Sequence, residues 1–307
     1  MAPAVGVQSM KGERLRIAIG FLVVSTVWGS TWLAIKIGVE TIPPFLAAGV
    51  RFVIAVCILY AIVRARNLPI DRTREALQVY GAVGLLTFGV PFALVYWAEQ
   101  FIPSALASIL FAVFPFWVAI FSHLLLSAEP IDKYKGAGIF FGFAGIVVIF
   151  WGDIASASSS AAYGMGAIVL STVLQAYALV FTKRFGQTIN PFVLNLIGMS
   201  IGAACLISLS FATEHWEGIR WNMTAVWSIL YLAVFGSVIA FVTYYWLLKR
   251  TEAVYLSLTT FINPIVATLL GAVVLGETLG VSVLMGAGLV LAGILIANGR
   301  YFHEKLA

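Results

Sequence analysis

The chain has 307 residues, of which 62% are hydrophobic and only 10% charged, with a formal net charge of +5 and a mean hydropathy of +1.02. A soluble chain carries about 25% charged residues and needs them at its surface, so this composition excludes a soluble globular protein. The positive balance would raise nucleic acid or an acidic partner, but the placement of the charges along the chain argues against nucleic acid.

The elements follow in order. An N-terminal tail, residues 1–16, carries Lys11, Arg14 and Arg16 and leads into an apolar run at 17–35. A basic start before an apolar run resembles a signal peptide. Trp28-Gly29-Ser30-Thr31-Trp32 stands where small cleavage-site residues would be, so a retained first span is expected. Further apolar runs cover 45–63, 78–98, 104–126, 136–152, 163–182, 192–210, 224–248, 253–275 and 281–298. Each meets or approaches the ~17–25 residues of a membrane-spanning helix. The joint at 99–103 holds Glu99, Gln100 and Pro103; the joint at 183–191 holds Lys183, Arg184, Asn190 and Pro191. Barrel strands would be ~10 residues of alternating polarity, whereas these runs are continuously apolar. The reading is an all-α polytopic membrane protein with ten transmembrane helices and no soluble domain.

Fifteen of the eighteen Lys and Arg fall in one alternating set of ends and joints. Lys36 and Arg220 lie on the other side, and Arg51 lies inside a span. By the positive-inside rule both termini are expected in the cytoplasm. The net charge is thus an orientation signal. Cys57 and Cys205 both fall in spans and are expected as small core residues, with no disulfide framework.

The two halves repeat at an offset of 147–149 residues. Lys36 pairs with Lys183, Pro44-Phe45 with Pro191-Phe192, and Tyr96-Trp97 with Tyr245-Trp246. Ser108 pairs with Ser257, Pro115 with Pro264, Glu129 with Glu277, and Ala144-Gly145-Ile146 with Ala292-Gly293-Ile294. The predicted organisation is a first five-helix repeat at 17–152, an external linker at 153–162, a second repeat at 163–298, and a cytoplasmic tail at 299–307. Five is odd, so the second copy starts on the opposite side: an inverted-topology repeat, the architecture behind alternating access in many secondary transporters.

Trp28-Gly29-Ser30 followed by Lys36, then Arg51-Phe52, then the Pro-containing runs Pro115…Glu129 and Pro264…Glu277 carry a resemblance. Over residues 17–298 the chain resembles the ten-span EamA-type branch of the drug/metabolite transporter superfamily. Within that branch it is similar to the bacterial YddG-type exporters of amino acids, aromatic ones included. The resemblance implies export of small metabolites across a bacterial inner membrane. It also implies a central cavity walled by the third, fourth, eighth and ninth spans.

A substrate path needs polar or aromatic groups facing the bundle interior. Candidate substrate-binding residues are Trp28, Arg51, Tyr96, Trp97, Ser108, Phe114, Trp117, Gln175, Tyr177, Tyr244, Tyr245, Tyr255, Thr259 and Asn263. Span-end aromatics also suit an interfacial belt, and the serines and threonines suit helix packing. Asn263 precedes Pro264, which removes a backbone donor and offers a freed carbonyl beside an amide. Arg51 lies ~9 Å inside its span at 1.5 Å per residue; it would attract a carboxylate, pair with Glu99 or Glu40, or snorkel. Lys36, Glu99 and Lys183 are gating or interface candidates, with helix-end charge as the alternative for the lysines.

No Asp or Glu lies in mid-span, where proton-coupled carriers commonly place one; the expectation is a facilitator running down the substrate gradient, or a proton site at the membrane rim. Gly136, Gly138, Gly142 and Gly145, with Gly286, Gly288 and Gly293, predict close helix packing. A monomer is expected, with a dimer through those faces as the alternative. His123, His215 and His303 form no metal-spaced pair, and no P-loop, G-x-S-x-G or H-E-x-x-H occurs, so no enzyme and no cofactor is expected. The expected partners are the bilayer and a small-molecule substrate. The expectation is thus export of amino acids or related metabolites, with a channel or a drug exporter as alternatives.

Overall fold

The computed structural model describes residues 4–102, 104–126, 132–155, 161–217, 219, 221–266 and 281–297. These form ten helical elements. They are α1 (Ala4–Val39), α2 (Pro44–Ala65), α3 (Arg74–Ala98), α4 in two pieces (Ser104–Phe111 and Phe114–Leu125) and α5 (Lys133–Ala155). The second half continues with α6 (Ala161–Phe185), α7 (Pro191–Thr213), α8 (Met223–Leu248), α9 (Ala253–Val266) and α10 (Val281–Ala297). Six of the described helices, α1, α2, α3, α6, α7 and α8, are long and apolar enough to cross a membrane. Glu129 and Glu277 lie outside the described residues.

The starts follow local chemistry. Pro44 and Pro191 open α2 and α7 at the first helical position, where a missing N–H costs nothing. Side chains of Thr73, Asn190 and Asn222 accept from the amides of Ala76, Phe192 and Ala225, satisfying donors that have no partner within the helix. Past the end of α2, Asn67 takes φ 48°, a left-handed turn that asparagine tolerates.

Both halves break the α-helical ladder at matching places. In α3 the stretch Gly84–Gly89 is π-helical, and in α8 the stretch Leu232–Ile239 is. Val90 N–H reaches Leu85 O and Ala240 N–H reaches Phe235 O, five residues back. In α3 the cause is Pro91: it has no N–H for the carbonyl of Thr87, and its ring crowds that turn. In α8 no proline does this; the Ser237 hydroxyl donates to Leu232 O at 3.0 Å instead.

Helices pack in matched pairs, α2 against α7 and α5 against α10, while α1 lies on α8 and α6 lies on α3. Each half thus supplies a helix to the other. The α2–α7 pair is closed at one end by Glu214, whose two carboxylate oxygens accept from Phe45 N at 2.7 Å and Leu46 N at 3.0 Å. At the other end the Arg66 guanidinium sits 5.2 Å from the Phe192 ring. The α5–α10 seam is made by glycines: a Cβ on Gly138, Gly145 or Gly293 would meet backbone of the facing helix at 2.5–2.9 Å. Of the glycines predicted for close packing, Gly138, Gly145 and Gly293 pack against the facing helix within one chain, Gly142 meets the Phe261 ring, and a Cβ on Gly136 or Gly288 would meet nothing within 4 Å.

The outward surfaces are apolar: Leu22, Leu124, Phe140, Trp151 and Leu295 are all well exposed, which suits lipid rather than water. Cys57 is exposed and Cys205 half-buried, so Cys57 corrects the expectation of a core residue. Both are free thiols, and Cys57 lies on the outward face of α2.

Candidate functional site

A cavity lies where the halves meet. From the first half it is walled by Trp28, Thr31, Trp32 and Ile35 of α1, Arg51 of α2, Thr87, Phe92 and Val95 of α3, and Phe111 and Phe114 of α4. From the second half come Gln175 and Leu179 of α6, Phe241, Tyr244 and Tyr245 of α8, and Thr260 and Asn263 of α9. The space open to water-sized molecules is about 80 Å³. That is narrow beside the ~300–1,000 Å³ of drug-sized sites.

The aromatic wall holds two groups of touching rings. Trp28 lies 4.9 Å from Phe241 and 4.8 Å from Tyr244, centroid to centroid. Its indole N–H donates to Gly236 O at 3.3 Å, in the π-helical stretch of α8. Trp32 meets Phe111 edge-on at 5.6 Å, and Phe111 stacks on Phe114 at 5.7 Å. Further bonds hold α1 on α8: Ser30 with the Tyr231 hydroxyl at 2.5 Å, and Ser228 donating to Ala34 O at 2.5 Å.

Arg51 is 2% exposed. Its Nε donates to Ser237 Oγ at 2.8 Å and its Nη1 to the Tyr96 hydroxyl at 3.2 Å. Its guanidinium carbon lies 5.4 Å and 5.1 Å from the rings of Phe52 and Phe92. It neither snorkels nor pairs with Glu40 or Glu99: among the described residues no carboxylate lies within salt-bridge distance. With its side-chain amide oriented so that its N–H faces acceptors, Asn263 donates to Ser25 O at 3.3 Å and Thr259 O at 3.2 Å, tying α9 to α1.

Of the predicted binding residues, the structure brings Trp28, Arg51, Phe114, Gln175, Tyr244, Tyr245 and Asn263 together on one wall. Tyr96 stands behind it, holding Arg51. The others lie elsewhere. Trp97 packs on Phe101 at the α3–α4 joint. Ser108 is buried in α4 off the cavity, and Trp117, half-buried, packs against the core. Tyr177 is 36% exposed and packs on Phe121 and Phe181. Two residues past Gln175 is about 200° round a helix, so both cannot face inward. Tyr255 lies under the Lys135 ammonium, and Lys135 is paired with Glu252. Thr259 turns its hydroxyl to Leu256 O, and its neighbour Thr260 lines the cavity instead.

Sequence reading missed Thr31, Trp32 and Ile35, although with Trp28 they recur at the i, i+3, i+4, i+7 spacing of one helical face. It also missed Thr87 and Phe92, which flank the unremarked Pro91. Phe241 precedes Tyr244 and Tyr245 by three and four residues and shares their face.

The gating candidates have matched geometry. Lys36 Nζ donates to Glu99 O at 2.7 Å, at the end of α3. Lys183 Nζ donates to Leu248 O at 2.7 Å and Thr251 O at 2.8 Å, at the end of α8. Each lysine reaches a neighbouring helix's C-terminus, where a cation is favoured by ~0.3–1 kcal/mol and up to ~2 when partly buried. Lys183→Ala is expected to lower stability more than Lys36→Ala, by about 2 against about 1 kcal/mol. Thermal unfolding of the detergent-purified variants measures it; equal, negligible losses would remove the capping role.

The EamA-like transporter family matches the chain twice, over residues 15–151 and 162–299. The chain is 27% identical over 301 residues to the uncharacterized transporter YoaV of Bacillus subtilis strain 168, covering 95% of this chain and all of that one. It is 30% identical over 277 residues to the uncharacterized inner membrane transporter YedA of Escherichia coli K12, covering 90% and 88%. A solved crystal structure superposes with a TM-score of 0.77 at 22% identity, covering 92% of this chain and 96% of the other, which speaks for the fold alone.

Proposed function

The chain belongs to the EamA-like transporter family, a membrane transporter rather than an enzyme, and from that premise we propose that it exports small metabolites across a bacterial inner membrane. Amino acids, neutral or aromatic, are the substrates, and alternating access between two inverted halves is the mechanism. The observation that supports this reading is the cavity walled jointly by both repeats. A site shared between halves opens to one side or the other as they rock. The name of the YedA relative supports the inner membrane, and the Lys and Arg distribution supports cytoplasmic termini.

No carboxylate lines the cavity among the described residues, which favours facilitated movement down the substrate gradient over proton coupling. The test is efflux of an amino-acid panel from proteoliposomes holding the purified chain. Saturable flux with counter-exchange, undiminished without a pH gradient, is the expected result. Strict dependence on the proton gradient would overturn the facilitator, and non-saturating flux without exchange would make the protein a channel. In the same assay Asn263→Ala is expected to shift substrate preference several-fold, since the amide lies on the wall. Trp117→Ala is expected to leave preference unchanged, because the indole lies off it.

A further inference from the structure

Among the described residues that wall the cavity, Arg51 is the single full charge, and no Asp or Glu accompanies it. Its environment is unusual for a buried guanidinium. Both hydrogen-bond partners, Ser237 and Tyr96, are neutral hydroxyls, and two aromatic rings flank it. Hydroxyls and ring faces offset part of the desolvation cost but leave the charge uncancelled. A guanidinium has five N–H donors in a planar fork, and two of them are used among the described residues. Its Nη2 is given room by Gly236, on which a Cβ would stand 3.2 Å away. Elsewhere on the wall the hydroxyl of Tyr244, a residue 4% exposed, has no hydrogen-bond partner among the described residues. Among the described residues, the site therefore holds a cation with no salt-bridge partner and a hydroxyl with no hydrogen-bond partner, beside an apolar aromatic face.

Resting on the transporter reading, we propose that Arg51 reads a carboxylate, so that the cavity takes organic monocarboxylates and zwitterions with an apolar or aromatic body and rejects cations that lack one. The unused donors of the fork meet the carboxylate, the pairing geometry for which arginine is suited. The apolar body lies against Trp28, Phe241 and Phe114. Ser237 and Tyr96 are positioning residues: they hold the guanidinium in place through Nε and Nη1. Since Ser237 lies in the π-helical stretch of α8 and Tyr96 lies on α3, a pull on Arg51 reaches a helix of each half.

The test compares three solutes sharing one phenyl ring: phenylalanine, 3-phenylpropionate without the amine, and phenethylamine without the carboxylate. Binding to the full chain in detergent, read by thermal shift, separates this proposal from the transporter reading, which efflux from proteoliposomes tests by itself. A charged hydrogen bond is worth ~1.5–3 kcal/mol, or at least about tenfold in affinity. Phenylalanine and 3-phenylpropionate are expected to bind at least about tenfold more tightly than phenethylamine. Arg51→Gln is expected to erase that preference and Arg51→Lys to keep part of it. Equal binding of the three solutes by the unmodified chain, or binding of phenethylamine alone, overturns the proposal whether or not either variant folds. So does failure of both carboxylates to bind. A preference that survives in folded Arg51→Gln also overturns it, and the transporter reading stands if efflux persists.

Discussion

Gly145→Val is expected to unfold the α5–α10 seam and cost the protein much of its stability. A Cβ at Gly145 would stand 2.5 Å from Gly286 O and 2.8 Å from Val290 N. These are backbone atoms, so no rotamer change relieves the contact; the helices must separate. Overpacking costs ~1–3 kcal/mol even where side chains can yield, and here the whole seam moves. The neighbouring contacts fail with it: Gly138 lies against Gly293 O and Ala297, and Gly293 against Gly142 N and Gly138 O. Lipid adds to the loss, because helix association in a membrane depends on close van der Waals packing rather than hydrophobic burial. We expect a fall in unfolding temperature and loss of monodisperse protein on size exclusion. Gly136→Ala is the control. Nothing lies within 4 Å of a Cβ there, and alanine is favoured over glycine in a helix by ~0.5–1 kcal/mol. Similar behaviour of the two variants would mean that the seam does not hold the fold.

Trp28→Ala is expected to reduce transport at least about tenfold while leaving the α5–α10 seam intact. The indole joins three things at the cavity: the Phe241 ring, the Tyr244 ring and the carbonyl of Gly236. Ring pairs are worth ~0.5–1.5 kcal/mol each and the hydrogen bond ~1 kcal/mol, so truncation removes roughly 3 kcal/mol at the α1–α8 contact. That contact joins the two halves, so its loss alters both the wall and the coupling of α1 to α8. Trp28→Phe keeps a ring and loses the N–H, and should fall between. Initial efflux rates at matched protein density in proteoliposomes give the order. Unchanged rates in Trp28→Ala would remove the cavity from the transport path.

Much of the fold was legible beforehand because the membrane imposes a simple rule: a span must be long, apolar and hydrogen-bonded within itself. The apolar run lengths mark the helices, and Lys36 with Lys183 or Tyr96 with Tyr245 mark the repeat. The site was legible only in part. Sequence reading usually finds a helix's inward face by contrast between apolar and polar sides. In lipid both sides are apolar, so α6 gives no hint that Gln175 faces in while Tyr177 faces out. The π-helical stretch of α8 had no proline to announce it, and the offset it introduces re-aims Ser237 toward Arg51.

By itself, the sequence determined that this is an all-helical membrane protein built from two related halves. It also singled out one arginine inside a span, where a charge is costly, while leaving open whether it faces the bundle or snorkels outward. Only the tertiary structure decided what that arginine touches. Its partners Ser237 and Tyr96 lie 186 and 45 residues away, on helices that meet α2 only when the two halves interlock. Local pattern carries no information about such contacts, because they are set by the packing of helices against one another.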